Sequence, residues 1–99
     1  MVVNGYETKT TFWDDFTIAD AYGESAIKDT YERAFESWKD NVEFVTELVL
    51  VLNWKCWDFY YKGKSKLSDL YSKLYYKAHH WCCSHLKGDD FDYYFSIVD

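Results

Sequence analysis

Apolar side chains recur every three or four positions along most of this chain, which is the spacing of amphipathic helices. Proline is absent and glycine is rare, so the four glycines are the best indicators of helix ends. The pattern predicts four main helices, over about residues 11–22, 24–38, 41–62 and 65–87. The third has the longest apolar stripe, from Val42 to Tyr60, and we expect it to be the most buried.

The stripe keeps its phase from Ile27 to Tyr60, so the second and third helices could also form one rod of about 57 Å. Such a rod cannot close on itself to make a core. Asp40 and Asn41 have the chemistry of helix caps, and Glu43 lies where a capping box has an acid, so we predict a kink or tight turn at residues 39–41. The predicted fold class is all-α, a compact bundle of about four helices.

The whole chain, residues 1–99, is predicted to be a single domain, because about a hundred residues support one modest core. Residues 1–10 contain the hairpin dipeptide Asn4-Gly5, but a lone hairpin is marginally stable, and we expect a loosely packed extension. Residues 89–99 are acidic and aromatic, and the pattern fits either one helical turn or an extended strap.

Charge is segregated along the sequence. Residues 1–50 contain eleven acidic and four basic side chains, whereas residues 51–88 contain two aspartates and seven lysines. Six of the acids recur at helical spacing and form an acidic stripe: Asp29, Glu32, Glu36, Asp40, Glu43 and Glu47. Few cations are expected beside them at the spacing that neutralises a helical carboxylate.

The acidic stripe has two interpretations. It is the solvated face that any amphipathic helix has, or it is a row of carboxylates that resembles a nucleic-acid backbone. With a net charge of −6, the chain is not expected to bind nucleic acid or anionic lipid directly. The expected partner is a basic nucleic-acid-binding protein, whose surface would attract the stripe.

Aromatic residues make up 22% of the chain, more than a core of this size can bury. Trp54 and Trp57 lie off the main apolar stripe of the third helix. Because Trp and Tyr are enriched at the centres of protein interfaces, a partner-binding or self-association surface is favoured over scattered exposure. A homodimer is one form of that prediction.

Residues 79–85 contain three histidines and two cysteines, the densest group of metal-ligating side chains in the chain. On a helix, His79 lies one turn from both Cys82 and Cys83, and either pair can share a zinc ion. A structural zinc takes four ligands, and no CxxC spacing supplies the others. We therefore expect Cys82 to fill the core and no metal site to form, with His79 and Cys83 as weak candidates.

No catalytic motif is apparent, so we expect a non-enzymatic protein that needs no cofactor. The first residues lack the basic start and apolar run of a signal peptide. The longest apolar run, Leu48–Leu52, is far shorter than the roughly 18 residues of a membrane span. Three cysteines, an odd number, do not resemble a disulfide framework. These features predict a cytoplasmic protein with reduced thiols.

Five segments carry a resemblance to a known group of proteins: Thr11–Asp20, Ala26–Tyr31, Ala34–Phe35, Glu47–Asn53 and Leu86–Gly88. Through them the chain is similar, over about residues 10–99, to small proteins carried by plasmids, phages and integrative elements of Firmicutes. The resemblance implies an accessory protein of a mobile element, and genes of this kind and size often encode anti-CRISPR or other anti-defence proteins. It identifies no functional residue.

Together, the acidic stripe and the resemblance to mobile-element proteins predict an inhibitor that blocks the basic channel of an RNA-guided nuclease by mimicking the charge of a nucleic acid. Such nucleases hold their heteroduplex in a positively charged channel. The predicted partner-binding residues are the six acids of the stripe with Trp54 and Trp57. The alternative is a self-associating structural or regulatory protein with a Trp/Tyr-rich interface.

Overall fold

The structure, a computed structural model, describes residues 1–98. It contains a short β-hairpin followed by five helices. The strands are β1 (Val2–Val3) and β2 (Tyr6–Glu7), and the helices are α1 (Phe12–Asp20), α2 (Glu24–Trp38), α3 (Val42–Tyr61), α4 (Ser65–His85) and α5 (Asp89–Val98). The all-α prediction is confirmed, with five helices instead of about four. The additional helix is α5, in a segment that the sequence left open between a turn and a strap.

The predicted break between α2 and α3 is confirmed. Asn41 has an extended backbone, and its Oδ1 accepts a hydrogen bond of 3.1 Å from the backbone N–H of Phe44, which caps α3. Glu43 does not complete a capping box, because with Asn41 as the N-cap it lies at the second helical position and not the third; its side chain pairs with Lys9. The turn before α2 needs a glycine: Gly23 has φ 107° and ψ −172°, a region that other residues almost never adopt.

Helix α3 is the centre of the molecule, as its apolar stripe predicted. It contacts all four other helices, and every residue from Val45 to Leu52 is buried. Burial of more than two consecutive turns means that all faces of this segment are covered. An aromatic cluster continues the core beside it: the Tyr71 ring meets Phe16 edge-to-face at 5.7 Å and stacks on Phe59 at 5.8 Å, measured between centroids.

A buried polar network joins α1, α3 and α4. The Lys55 Nζ lies 3.0 Å from Asp20 Oδ2 and 2.7 Å from Thr17 Oγ1, and it sits 4.3 Å from the Trp13 ring centroid. The Tyr71 hydroxyl donates a hydrogen bond to the other Asp20 oxygen. Burial first, and then this hydrogen bond, raises the pKa of Tyr71 well above its ordinary value. The network fixes how the three helices meet, since an uncompensated charge here would be costly.

The N-terminal residues fold back as an antiparallel hairpin, with Val2 opposite Glu7 and Val3 opposite Tyr6. Asn4 and Gly5 both have positive φ, the conformation of a tight two-residue hairpin turn. The Tyr6 ring lies 5.8 Å from the Trp54 ring and so attaches the hairpin to α3. Among the described residues, no helix is long and apolar enough to cross a bilayer.

Candidate protein-binding surface

Five carboxylates of the acidic stripe are exposed to solvent. Asp29, Glu32 and Glu36 lie on α2, where a spacing of three and four residues places them on one face. Asp40 lies in the turn after α2, and Glu43 lies in the first turn of α3. The stripe therefore bends with the chain at residues 39–41 and does not run along one straight helix.

Only Asp29 has a paired cation at the i,i+4 spacing, as expected, but other cations also reach the stripe. Three of the five exposed carboxylates have a cation within 4 Å, and two of those cations lie on α2 or just after it. The pairs are Asp29 with Arg33 at 3.2 Å, Glu36 with Lys39 at 3.1 Å, and Glu43 with Lys9 at 2.9 Å. The hydrogen bond to Glu43, and then its charge, raises the pKa of Lys9. Glu32 and Asp40 have no ion pair within residues 1–98.

Glu47 does not belong to the exposed surface, which corrects its place in the stripe. Its side chain is completely buried. One carboxylate oxygen accepts from the backbone N–H of Lys9 at 2.7 Å, and the other accepts from the N–H of Thr10 at 2.9 Å and from the Thr10 hydroxyl. The residue thus holds the chain where it enters α1, and no partner can reach it while the domain is folded.

A groove of about 660 Å³ lies between α1 and α2, next to the stripe. Its walls include two exposed apolar side chains, Ile18 of α1 and Tyr22 in the turn after it, whereas Asp29 and Arg33 of α2 contribute charge. At one end, the Trp38 ring meets that of Phe44 at 4.7 Å. This groove could not be predicted from the sequence, although Ile18 falls off the apolar stripe of α1, because only packing shows which helix faces lie side by side.

The two predicted tryptophans have different surroundings. Trp54 is half-buried between the rings of Tyr6 and Trp13, the latter at 6.4 Å, and supports the hairpin. Trp57 is 49% exposed. Its ring lies 5.5 Å from Tyr60 and 6.0 Å from Tyr61, both of which are largely exposed, and we call these three residues the Trp57 cluster. Of the two, only Trp57 is part of an open aromatic surface.

The structure brings His79 and Cys83 together on α4, with 3.6 Å between His79 Nε2 and Cys83 Sγ. The other ring nitrogen, Nδ1, lies 2.6 Å from the hydroxyl of Tyr94. Within residues 1–98, no group of three or more His, Cys, Asp or Glu side chains is placed to hold a metal ion. Cys82 is fully buried, as predicted, and burial raises the pKa of its thiol to about 12.

The arrangement offers two kinds of contact: exposed carboxylates beside a groove with apolar walls, and a separate aromatic cluster at the end of α3. Carboxylates select cationic groups, whereas exposed Trp and Tyr rings select apolar or aromatic ones. No family model, no curated protein and no solved structure matches the chain. The similarity to proteins of mobile elements therefore stays a prediction.

Proposed function

We propose that this protein is a non-enzymatic inhibitor from a mobile element, which binds the basic nucleic-acid channel of a host RNA-guided nuclease in the manner of an anti-CRISPR protein. One observation carries the proposal: five carboxylates are exposed in succession on α2, the following turn and the start of α3. Lysine and arginine side chains that hold a phosphate backbone can bind such a row instead.

The ion pairs within the stripe do not prevent this binding. Each is solvent-exposed, and exposed pairs of this kind contribute little to folding stability. A cation of the partner can therefore replace Arg33 or Lys39 at small cost. Glu32 and Asp40, which pair with no cation in residues 1–98, are the first carboxylates that a partner would meet. The mechanism is competition: the inhibitor and the nucleic acid bind the same cations, so one excludes the other.

The test is protection of a plasmid from an RNA-guided nuclease in a Gram-positive host, measured as transformants recovered. The wild-type protein should restore transformation. The variant Glu32→Gln, Glu36→Gln, Asp40→Asn should lose roughly tenfold or more of this effect, because it removes attraction to the channel. A matched variant, Asp69→Asn, Asp90→Asn, Asp92→Asn, removes the same number of exposed charges elsewhere and should keep it.

Equal activity of the two variants would refute charge mimicry by the stripe. A pulldown from host lysate, washed first at low and then at high salt, identifies the target independently. A basic nucleic-acid-processing protein that is released by salt is expected. Recovery of the protein alone, unaffected by salt, would contradict the proposal and favour self-association.

A second candidate function rests on the Trp57 cluster. Three adjacent exposed aromatic rings are a typical centre of a protein interface, so the alternative is a structural or regulatory protein that self-associates through them. Light scattering separates the two functions. Trp57→Ala should convert a dimer to a monomer, whereas Tyr22→Ala, which removes an exposed ring from the turn after α1, should not. A monomeric wild-type protein would exclude this alternative.

A further inference from the structure

Basic side chains are paired with acids in one part of the chain and unpaired in the rest. Every lysine and arginine as far as Lys62 lies within 4 Å of a carboxylate. Within residues 1–98, the later lysines form no such ion pair, although the chain has 17 acids for 11 basic residues. These unpaired lysines are Lys64, Lys66, Lys73, Lys77 and Lys87. Positive charge on and around α4 is therefore available to an anionic partner.

Three of the unpaired lysines line a groove of about 460 Å³ between α2 and α4. Lys66, Lys73 and Lys77 are exposed and lie at positions i, i+7 and i+11, so they follow one side of α4 for about three turns. We call them the lysine rim. The full charged lining has four lysines and two acids, a net charge of +2 in a chain of net charge −6: Lys28, Lys66, Lys73, Lys77, Glu24 and Asp69.

The opposite wall of the groove is nearly neutral. It is formed by α2, where the exposed side chains of Glu24 and Lys28 pair at 3.6 Å. At one end of the lysine rim, the Lys77 Nζ lies 5.6 Å from the ring centroid of Tyr31, a cation–π contact that limits how far this charge can move. The positive charge of the groove is thus concentrated along its α4 side.

The floor of the groove is apolar. It is formed by Leu67, Leu70 and Leu74, which we call the leucine floor, at positions i, i+3 and i+7 of α4. Leu67 is half-buried, whereas Leu70 and Leu74 show the groove only a small part of their surface. This spacing is that of a seam along which a second helix packs. None of the described residues that line the groove is aromatic.

Charge and shape together select the occupant. The lysine rim requires an anionic group, and the leucine floor requires apolar side chains beside it. Single-stranded nucleic acid is held by aromatic rings that stack on its bases, and this groove has none. A helix with carboxylates on either side of an apolar seam satisfies both requirements, and amphipathic helices characteristically bind in apolar grooves.

We propose that the groove between α2 and α4 binds an acidic amphipathic helix of a partner protein. Apolar side chains of that helix contact the leucine floor, and its carboxylates pair with the lysine rim. The surface is separate from the acidic stripe and opposite to it in charge, so it serves a different partner from the basic one of the proposed function.

The experiment measures binding of a synthetic peptide to the full chain by fluorescence anisotropy at low ionic strength. The probe is a labelled helix of about 15 residues, with leucines spaced by three and four positions and glutamates on either side of them. We expect saturable binding that weakens as salt increases. A matched peptide with glutamine in place of every glutamate should bind roughly tenfold more weakly. Equal binding of the two peptides, or no binding of the acidic one at roughly 1 mM protein, would overturn the proposal.

Variants of the protein locate the site, and circular dichroism checks that each is folded. The rim variant should bind the acidic peptide roughly tenfold more weakly, since it loses three ion pairs: Lys66→Gln, Lys73→Gln, Lys77→Gln. The control variant removes the same charge from exposed positions outside the groove and should bind like the wild type: Lys9→Gln, Lys62→Gln, Lys87→Gln. Equal weakening in both would show that only net charge matters and would refute the site.

Other occupants give different results. A single-stranded oligothymidine that binds the groove more tightly than the acidic peptide, and that the rim variant releases, would assign the groove to nucleic acid and overturn the proposal. A dimer in light scattering that the rim variant dissociates would assign it to a second copy, with the same consequence. The variant Glu32→Gln, Glu36→Gln, Asp40→Asn should bind the acidic peptide at least as tightly as the wild type, so this proposal and the proposed function can fail separately.

Discussion

Two glutamates one turn apart on α3 have opposite roles. Glu43 is exposed and pairs with the side chain of Lys9, whereas Glu47 is buried and accepts hydrogen bonds from the backbone of Lys9 and from Thr10. Helical spacing places both on one face, so the sequence cannot distinguish them. The difference arises from a segment nearly forty residues earlier in the chain, which covers one and leaves the other open. The sequence therefore predicts correctly that five of the six acids of the stripe are exposed, but it cannot predict that Glu47 is buried.

The first prediction concerns Glu47. Glu47→Gln keeps the shape of the side chain but replaces one accepting oxygen by an NH₂ group that faces N–H donors. We expect the free energy of unfolding to fall by about 2–3 kcal/mol, the range for hydrogen bonds to a charged group and an unsatisfied buried donor. Urea denaturation measures it, and Glu43→Gln is the control that should leave the midpoint nearly unchanged. Equal shifts in the two variants would contradict the assigned role.

At the scale of elements, a helix could be predicted where its end has capping residues or where it is long enough to show a clear apolar period. The break between α2 and α3 could be predicted because Asp40-Asn41 interrupts an otherwise continuous helical phase, and Asn41 does cap α3. Helix α5 could not be predicted, because its apolar residues Phe91, Tyr94 and Phe95 span little more than one turn and fit several conformations. Packing decides it: the fully buried Tyr94 lies on a helix that contacts α3 and α4.

The second prediction concerns this cap. Asn41→Ala removes the hydrogen bond to the N–H of Phe44, and we expect a loss of about 1 kcal/mol in the free energy of unfolding, the usual effect of losing an N-cap side chain. Amide hydrogen exchange should show faster opening at Phe44 in particular. Asp40→Ala changes the neighbouring turn residue, which makes no side-chain hydrogen bond within residues 1–98, and should cost less. If the two substitutions cost the same, the cap is not what stabilises the start of α3.

At the scale of the whole molecule, charge that is segregated along the sequence is not fully separated on the surface. Glu24 of α2 and Lys66 of α4 line the same pocket, together with Lys28 and Asp69. The excess of acids in residues 1–50 could be predicted from the sequence, because it follows from the order of charges along the chain. What the sequence could not supply is the pairing across the fold, such as Lys55 with Asp20 in the core.

The proposed association with a basic partner should weaken as the salt concentration increases, because salt screens the attraction between exposed charges of opposite sign.

The last prediction concerns alkaline pH. Burial raises the pKa of Tyr31 to about 12, and it raises the pKa of Tyr71 and Tyr94 further. Unfolding returns each to its ordinary value of about 10. Below that pH these side chains are protonated in both states, so their ionisation does not make the free energy of unfolding depend on pH. Above it, the unfolded chain releases protons that the folded chain retains, so stability must fall as pH rises through 10 to 12.

Because the three tyrosines lie on α2, α4 and α5, their ionisation should accompany loss of the whole core. We expect the final rise in phenolate absorbance at 295 nm to coincide with the loss of helical circular dichroism at 222 nm. In Tyr71→Phe the absorbance step should become smaller by one phenolate. Complete ionisation while the helical signal persists would show that solvent reaches these hydroxyls in the folded protein, and that the core is less closed than its packing indicates.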